Sequence, residues 1–258
     1  MAQKAERSGR IVEILRERNG ASIRELAAET GVSEMTIRRD LERLRLDNIV
    51  SLVHGAAIYR SNMNGGQDRD YYLTLEKGIN IAEKDRIGRA AAVLVAPGDT
   101  VIIDIGTTTE LMAKHLPQNF PVTVVCFTMN ALMNIYQKGV DTLIMGGGYY
   151  HANTQLFESA ETINLIHRIR ATKLFLSAAG VSRELGLTCA NQYEVDVKQA
   201  CIGSSLRKIL LADSKKFDQI RPAWFAPLDK MDTVITDSGI SGEWVQVMEQ
   251  MGIQVQAV

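Results

Sequence analysis

From Thr100 onward, short β-branched runs alternate with stretches of helical length, and no other feature of the chain constrains its fold as much. The runs are TVIIDI (100–105), VTVVCF (122–127), DTLIMG (141–146), KLFLSA (173–178), KILLAD (208–213), DTVITD (232–237) and IQVQAV (253–258). Helical segments fall near 108–116, 130–138, 159–169, 191–207 and 241–251, and an earlier helical pattern, Ala82 to Val95, stops at Pro97-Gly98-Asp99. Parallel strands need a crossover, usually helical, between neighbours, and strands buried on both faces read as continuous apolar runs. The pattern therefore predicts an α/β fold built on a mainly parallel sheet with helices on both faces.

The first sixty residues follow another rule. Ile11, Ile14, Leu15 and Arg18 stand at i, i+3, i+4, i+7, and Gly20 ends that helix. Ser22-Ile23-Arg24-Glu25 is a capping box, in which Ser22 and Glu25 satisfy each other's orphan amides at the start of a second helix. Gly31 suits the tight turn that follows, and Ser33 is a favourable N-cap for a third helix reaching about Leu46. At about 100° per residue, Ile37, Leu41 and Leu44 share one stripe. Met35, Arg39, Glu42 and Arg43 share the other side, flanked by Thr36 and Arg38. Ile49 to Tyr59 can form a two-stranded wing turning at His54-Gly55, and Ser61 to Asp68, polar and Gly-rich, reads as linker. The expected division is 1–60 for a winged helix-turn-helix, 61–81 for a linker and 82–258 for the α/β domain.

Charge becomes informative only after this split. The chain carries 29 Lys+Arg against 30 Asp+Glu, near neutrality that argues at first against a nucleic-acid partner. Residues 1–60 hold 11 basic and 9 acidic side chains, a net of +2, leaving −3 for the remainder, and ten of the eleven cations are arginine. Arginine forks match phosphates and guanine edges bidentately, and a threonine methyl can meet a thymine methyl in the major groove. Helix, glycine turn and a second helix with basic groups near its start form the helix-turn-helix arrangement; a three-helix bundle with a solvated charged face is the competing reading.

In the α/β segment the best site candidate is Asp104-Ile105-Gly106-Thr107-Thr108-Thr109-Glu110, directly after a strand and opening a helix. Gly106 admits close backbone approach, and helix-start amides with threonine hydroxyls can cradle a phosphate. Threonine is also a routine helix opener, so the loop alone fits a cap as well as a cradle. Further points lie at other strand ends: Thr128-Met129-Asn130, Gly146-Gly147-Gly148, Ser177-Ala178-Ala179-Gly180 and Asp213-Ser214-Lys215-Lys216-Phe217. Ligands of parallel sheets bind beyond these carboxyl ends, so the loops are expected to converge.

Other classes find little support. The longest apolar run, Val122 to Phe127, is strand-sized and far short of a membrane span, and MAQKAERSGR lacks the apolar stretch of a secretion signal, so a cytoplasmic protein with no membrane partner is expected. Cys126, Cys189 and Cys201 are odd in number and distant from one another, which argues against a disulfide framework. His54, His115, His151 and His167 are scattered without metal-ligand spacing, so no metal and no cofactor are expected.

Arg7, Ile11 and Leu15, with the string SEMTIRRDL (Ser33 to Leu41), resemble the helix-turn-helix signature of the DeoR family. DIGTTTE, Asn130, the glycines 146–148, SAAGV, the Glu194 to Lys198 helix and ADSKKF resemble its effector domain, so the likeness spans nearly the whole chain. It implies a bacterial repressor of sugar or nucleoside catabolism, with an effector domain resembling ribose-5-phosphate isomerase in fold. Ser33, Met35, Thr36, Arg38, Arg39, Arg43 and His54 are then the residues expected at double-stranded operator DNA. Asp104, Gly106, Thr107, Thr108, Asn130, Gly147, Glu194 and Lys215 are those expected around a phosphorylated sugar. Asp40 is expected to brace an arginine, since a bare carboxylate is repelled by phosphates. Two departures are His54-Gly55-Ala56-Ala57, where the family often has Gly-Gly-Ala in the wing, and Ala179-Gly180, where many members have Asp-Gly. Within the family CFTMN, HANTQLFE, TCANQYE and IRPAW point to deoxyribonucleoside catabolism, and so to deoxyribose 5-phosphate as effector.

The isomerase likeness raises the alternative of a sugar-phosphate isomerase with an appended DNA reader, in which Asp104, Glu194 or Asp213 would shuttle a proton and Lys215 act as electrophile. SAAGV lacks the acidic cluster those isomerases carry in that loop, so a non-enzymatic sensor is expected. The small charge of one reader also calls for a homo-oligomer, dimer or higher, that engages paired half-sites.

Overall fold

The structure is a computed structural model that describes residues 2–18, 21–47, 49–53, 56–59 and 73–258. The chain divides into two compact units, Met1–Ile81 and Ala82–Val258.

The first unit contains helices α1 (Ala2–Arg18), α2 (Ile23–Thr30) and α3 (Glu34–Leu46) and strands β1 (Ala21–Ser22), β2 (Val50–Val53) and β3 (Ala56–Tyr59). Its local signals act as the residues dictate. Glu25 N donates to Ser22 Oγ at 3.2 Å while Ser22 N donates to Glu25 Oε2 at 2.7 Å, closing the capping box at the start of α2. Gly31 ends α2 at φ +68°, the left-handed conformation glycine adopts without a Cβ penalty. Thr36 N donates to Ser33 Oγ at 3.3 Å, capping α3. Ile37, Leu41 and Leu44 pack on Ile11, Ile14 and Leu15 of α1 and on Ile23 and Leu26 of α2. The antiparallel pairs β1–β3 and β2–β3 complete a winged helix-turn-helix. Gly20, His54, the wing turn and 61–72 lie outside the described residues. In the rest of the segment read as linker, Leu73–Glu76 forms a one-turn helix, α4, whose Leu73 is buried and which packs on α1.

The second unit is a seven-stranded sheet with every neighbouring pair parallel. Its elements run α5 (Ile81–Val93), β4 (Thr100–Ile103), α6 (Thr107–His115), β5 (Thr123–Cys126), α7 (Met129–Ile135), β6 (Thr142–Met145), β7 (Tyr149–His151), β8 (Leu156–Glu158), α8 (Ala160–Arg168) and β9 (Ala171–Ser177). They continue with β10 (Gly180–Ser182), β11 (Gly186–Cys189), α9 (Val195–Gly203), β12 (Ser205–Leu211), β13 (Ala223–Ala226), β14 (Thr233–Thr236), α10 (Gly242–Gln250) and β15 (Gln254–Ala257). The sheet order is β15-β14-β12-β9-β4-β5-β6. Period-two alternation splits each strand between two cores. Ile102, Val125, Leu174, Leu176, Leu210 and Val234 face α8, α9, α10 and a small antiparallel sheet, β10-β11-β13. Val101, Ile103, Val124, Phe175, Ile209 and Ile235 face α5, α6 and α7.

The order places a topological switch between β4 and β9: from β4 the chain proceeds outward through β5 and β6, then returns to β9 and proceeds the other way. Loops leaving the carboxyl ends of two such strands diverge to opposite faces and open a crevice between them. The loops concerned are Asp104–Gly106 and the one that begins at Ser177.

Candidate functional site

On the reader, the hydrophobic stripe fixes which side of α3 is presented. Met35, Arg38, Arg39 and Arg43 are exposed and Thr36 is half-buried. Glu42 is held by Arg45, with Arg45 Nε to Glu42 Oε2 at 2.9 Å, whereas among the described residues the side chains of Arg38, Arg39 and Arg43 make no hydrogen bond or ion pair, and Arg43 only acts on Asp47 through its charge. Ser33 spends its hydroxyl on the cap and on Thr36 Oγ1, 3.0 Å away. Asp40, buried, receives Arg7 Nε at 2.6 Å on the core side of the helix, the bracing role its sequence position suggested. A capped helix with three unpaired arginines on one face has the shape and charge to enter a major groove.

In the second unit, β4 ends at the switch point and the chain must turn at once into α6. Gly106 makes that turn at φ +154°, and a Cβ there would lie 2.5 Å from Ser177 Oγ. Thr109 Oγ1 donates to Asp104 O at 2.8 Å, and Ser177 Oγ donates to Ile105 O, so both loops of the crevice are tied together. Gly106 caps α6 without any side-chain bond, leaving the amides of Thr107 and Thr108 aimed forward as donors. Asn130, in the first turn of α7, braces the loop through Nδ2, 3.0 Å from Glu110 Oε2 and 3.4 Å from Gly106 O. Those two acceptors fix which end of its amide is nitrogen.

Beneath the loop lies a buried charge cluster. Asp104 Oδ2 accepts from Ser177 N at 3.0 Å and from Lys198 Nζ at 2.5 Å, and Lys198 Nζ also donates to Ser177 O at 3.0 Å. Burial pushes the Lys198 ammonium down, but Asp104 and Glu194 together outweigh it and hold its pKa above the ordinary value, so it stays charged. Glu194, one helical turn before Lys198, is also buried; burial raises its carboxyl, with Lys198 opposing, and Asn191 Nδ2 donates to it at 2.7 Å. Asp104 Oδ1 and Asn130 Oδ1 are buried with no partner among the described residues. The crevice therefore offers amide donors at the helix start and unfilled acceptors beside them, suited to an anion whose neighbouring groups are hydroxyl donors.

Of the expected effector residues, the structure brings together Asp104, Gly106, Thr107, Thr108 and Asn130, with Glu194 joined through Lys198. Gly147 has a different neighbourhood: exposed, its carbonyl accepts from Ser159 Oγ at 2.9 Å and Thr162 Oγ1 at 2.7 Å at the start of α8. Lys215 is exposed on the short turn Ser214–Lys216, two strands away from β4 in the sheet. Lys198 and Ser177 were not among the residues expected at the site, although Lys198 ends the Glu194 to Lys198 helix and Ser177 opens SAAGV. The β7–β8 hairpin was not expected either; it is pinned to the α7 start by Met129 N to Gln155 O at 2.9 Å. The hairpin is pinned to the approach to α9 by Tyr193 Oη donating to Asn153 Oδ1 at 2.8 Å, with the His151 ring stacked 3.8 Å from Tyr193. All three cysteines are free and buried, which pushes the thiols of Cys126 and Cys189 up to about 12 and leaves no thiolate in the site. Among the described residues there is no group of three or more His, Cys, Asp or Glu able to hold a metal, and no helix long and apolar enough to cross a membrane.

A DNA-reading winged helix joined to an α/β unit with a crevice at its switch point defines a ligand-responsive, DNA-binding transcriptional regulator. The chain belongs to the DeoR family: residues 7–62 match a DeoR-like helix-turn-helix domain and residues 79–238 a DeoR C terminal sensor domain. It is 30% identical over 253 residues to the deoxyribose operon repressor of Escherichia coli K12, covering 98% of each chain. It is 29% identical to the HTH-type transcriptional regulator GolR of Listeria innocua, covering 97% of each. Among solved structures, ribose 5-phosphate isomerase A of Methanocaldococcus jannaschii matches with TM-score 0.40 at 15% identity, over 54% of this chain and 55% of that one. The sorbitol operon regulator SorC of Klebsiella pneumoniae matches with TM-score 0.36 at 13% identity, over 80% and 88%.

Proposed function

We propose that this regulator is a cytoplasmic repressor of a sugar or nucleoside catabolic operon, released from operator DNA when a phosphorylated sugar occupies the switch-point crevice. The observation that carries the reading is the Gly106 turn, where open helix-start amides stand beside two buried, unfilled acceptors, Asp104 Oδ1 and Asn130 Oδ1. The phosphate would sit on the amides of Thr107 and Thr108, and sugar hydroxyls would donate to the two acceptors. Lys198 fixes Asp104, and Glu194 adds a second carboxyl nearby. The name of the Escherichia coli relative makes deoxyribose 5-phosphate the first effector to test. Lys215 would reach the ligand from the rim, and Gly147 would act only through the start of α8.

On the DNA side, Arg38 and Arg39 would read base edges and phosphates, with Met35, Thr36 and Arg43 beside them, Ser33 fixing the helix start and His54 serving the wing. Two or more copies would place α3 in successive major grooves. The effector can release them only by binding one conformation of the pair more tightly than the other. Sensing rather than catalysis fits the cluster: Lys198 is a charged partner of Asp104, not a free amine, and the relatives are regulators.

A thermal-shift screen of phosphorylated sugars on the full chain, followed by operator release with each hit, tests the reading. Arg38→Ala or Arg39→Ala should weaken operator binding by roughly 10-fold or more, as loss of a bidentate contact of about 1–3 kcal/mol implies. Their effector-induced melting shift should match the wild type; loss of that shift with operator affinity intact would refute the assignment. Lys215→Ala should bind operator normally but need more sugar phosphate for release, and wild-type induction would remove Lys215 from the site. Isomerisation of a sugar phosphate by the full chain, abolished in Glu194→Gln, would replace the sensor reading with the enzymatic one.

A further inference from the structure

Strand β6 is one edge of the seven-stranded sheet and, among the described residues, pairs only with β5. Thr142 N donates to Val122 O and Gly146 N to Cys126 O, so the even-numbered residues direct their backbone groups at β5. Leu143 and Met145 therefore turn their N–H and C=O groups outward, and no hydrogen bond reaches those groups among the described residues. TLIM is short but contains no lysine, no proline and no charge to block pairing, and it is more apolar than the opposite edge, β15, QVQA.

We infer that β6 is an interface between two copies of this chain, paired antiparallel with itself across a two-fold axis at Ile144. The edge is self-complementary in this register. Leu143 of each copy faces Met145 of the other, so the two outward N–H and two outward C=O groups on each strand are satisfied by four hydrogen bonds, and Ile144 faces its own equivalent as the close, non-hydrogen-bonded pair. The flanks fit as well. Thr142 falls opposite Gly146 and Asp141 opposite Gly147, which is exposed with open space where a Cβ would lie, so the two Asp141 carboxylates are kept apart. Beyond the strand, Tyr149, Tyr150 and Tyr136 are exposed at 79%, 49% and 51%. Large exposed apolar groups rimmed by polar ones mark association surfaces, and a second copy supplies the matching set because a two-fold interface uses one patch twice. The pairing also provides what one reader lacks, since two linked helix-turn-helix units can occupy two half-sites at once.

Cysteine cross-linking of the full-length chain tests the register directly, because the three native thiols are buried and do not compete. In the predicted pairing the Cβ atoms of Ile144 and its equivalent are about 4.5–5.5 Å apart, close to disulfide geometry, while residues 142 of the two copies are separated by roughly four residues of strand, about 13 Å. Ile144→Cys should form a covalent dimer under mild oxidation and Thr142→Cys should not. Met145→Pro, which removes an outward N–H while keeping every backbone bond to β5 and losing only the weak Cys126 Sγ contact to the Met145 sulfur, should lower the mass seen by light scattering toward that of a single chain and weaken operator binding about 100-fold through lost avidity. Failure of Ile144→Cys to cross-link, equal cross-linking by Thr142→Cys, or an unchanged mass for folded Met145→Pro would each overturn the inference.

Discussion

Replacing Lys198 by methionine should lower the melting temperature of the α/β unit by on the order of 10 °C, the largest single effect on stability expected among the site residues. Met conserves the length and packing of the lysine stem, so the change isolates the charge. Asp104 is buried with its Oδ2 on Lys198 Nζ, and removing the ammonium leaves a carboxylate with no compensating charge in a low-dielectric site beside Glu194. Breaking a buried pair in this one-sided way costs about 3–5 kcal/mol, whereas removing both charges together is often nearly neutral. Asp104→Asn combined with Lys198→Met should accordingly recover most of the loss, since the asparagine oxygen can still accept from Ser177 N. The melting transition followed by circular dichroism checks both variants. A Lys198→Met chain as stable as the wild type, or a double variant no better than the single one, would mean that the pair does not hold the base of the crevice.

The second large effect concerns Gly106. An alanine there meets Ser177 Oγ at 2.5 Å and Ser177 Cβ at 2.8 Å, at a backbone φ of +154° that side-chain-bearing residues rarely adopt. The loop must shift, and with it the amides of Thr107 and Thr108. Misaiming one or two charge-assisted hydrogen bonds of about 1.5–3 kcal/mol each lowers effector affinity by roughly 10- to 100-fold per bond. Operator binding without effector, proposed to lie with α3, should be unaffected, so Gly106→Ala should behave as a repressor that cannot be induced. Release of its operator at the wild-type concentration of deoxyribose 5-phosphate would place the phosphate elsewhere.

Much of this was legible in the sequence because it is written locally. Ser22-Glu25, Gly31 and Ser33 state where helices start and stop, and the period of Ile37, Leu41 and Leu44 states which side of α3 is buried. The seven strands of the parallel sheet announce themselves as continuous apolar runs, each found within a few residues of its observed span. Tertiary features were less visible. Strands β7, β8, β10, β11 and β13 are three or four residues long, lie outside the strand-helix alternation and include polar stretches such as Tyr149-Tyr150-His151. No local period distinguishes them from loop. Lys198 reads as a surface lysine on a helix, and only the arrival of Asp104, 94 residues earlier in the chain, makes burying it tolerable. Of the strand-end loops expected to converge, those at Asn130 and Ser177 join the Asp104–Gly106 loop and those at Gly147 and Lys215 do not, because the switch between β4 and β9 depends on strand order, which no local string encodes. Gly147 illustrates the reverse: a glycine at a strand end suggested a ligand, and the fold gives its carbonyl to the start of α8.

One ligand class, bound at Gly106, is proposed to set the operator affinity of α3. The most direct test is an equilibrium titration of operator DNA with the full wild-type chain, at fixed salt, with and without saturating deoxyribose 5-phosphate, and with ribose 5-phosphate and inorganic phosphate in parallel. At least one sugar phosphate should weaken operator binding by about 5- to 150-fold, the usual range of a coupling free energy between sites. Inorganic phosphate should do far less. Identical operator curves with every sugar phosphate would contradict the proposal.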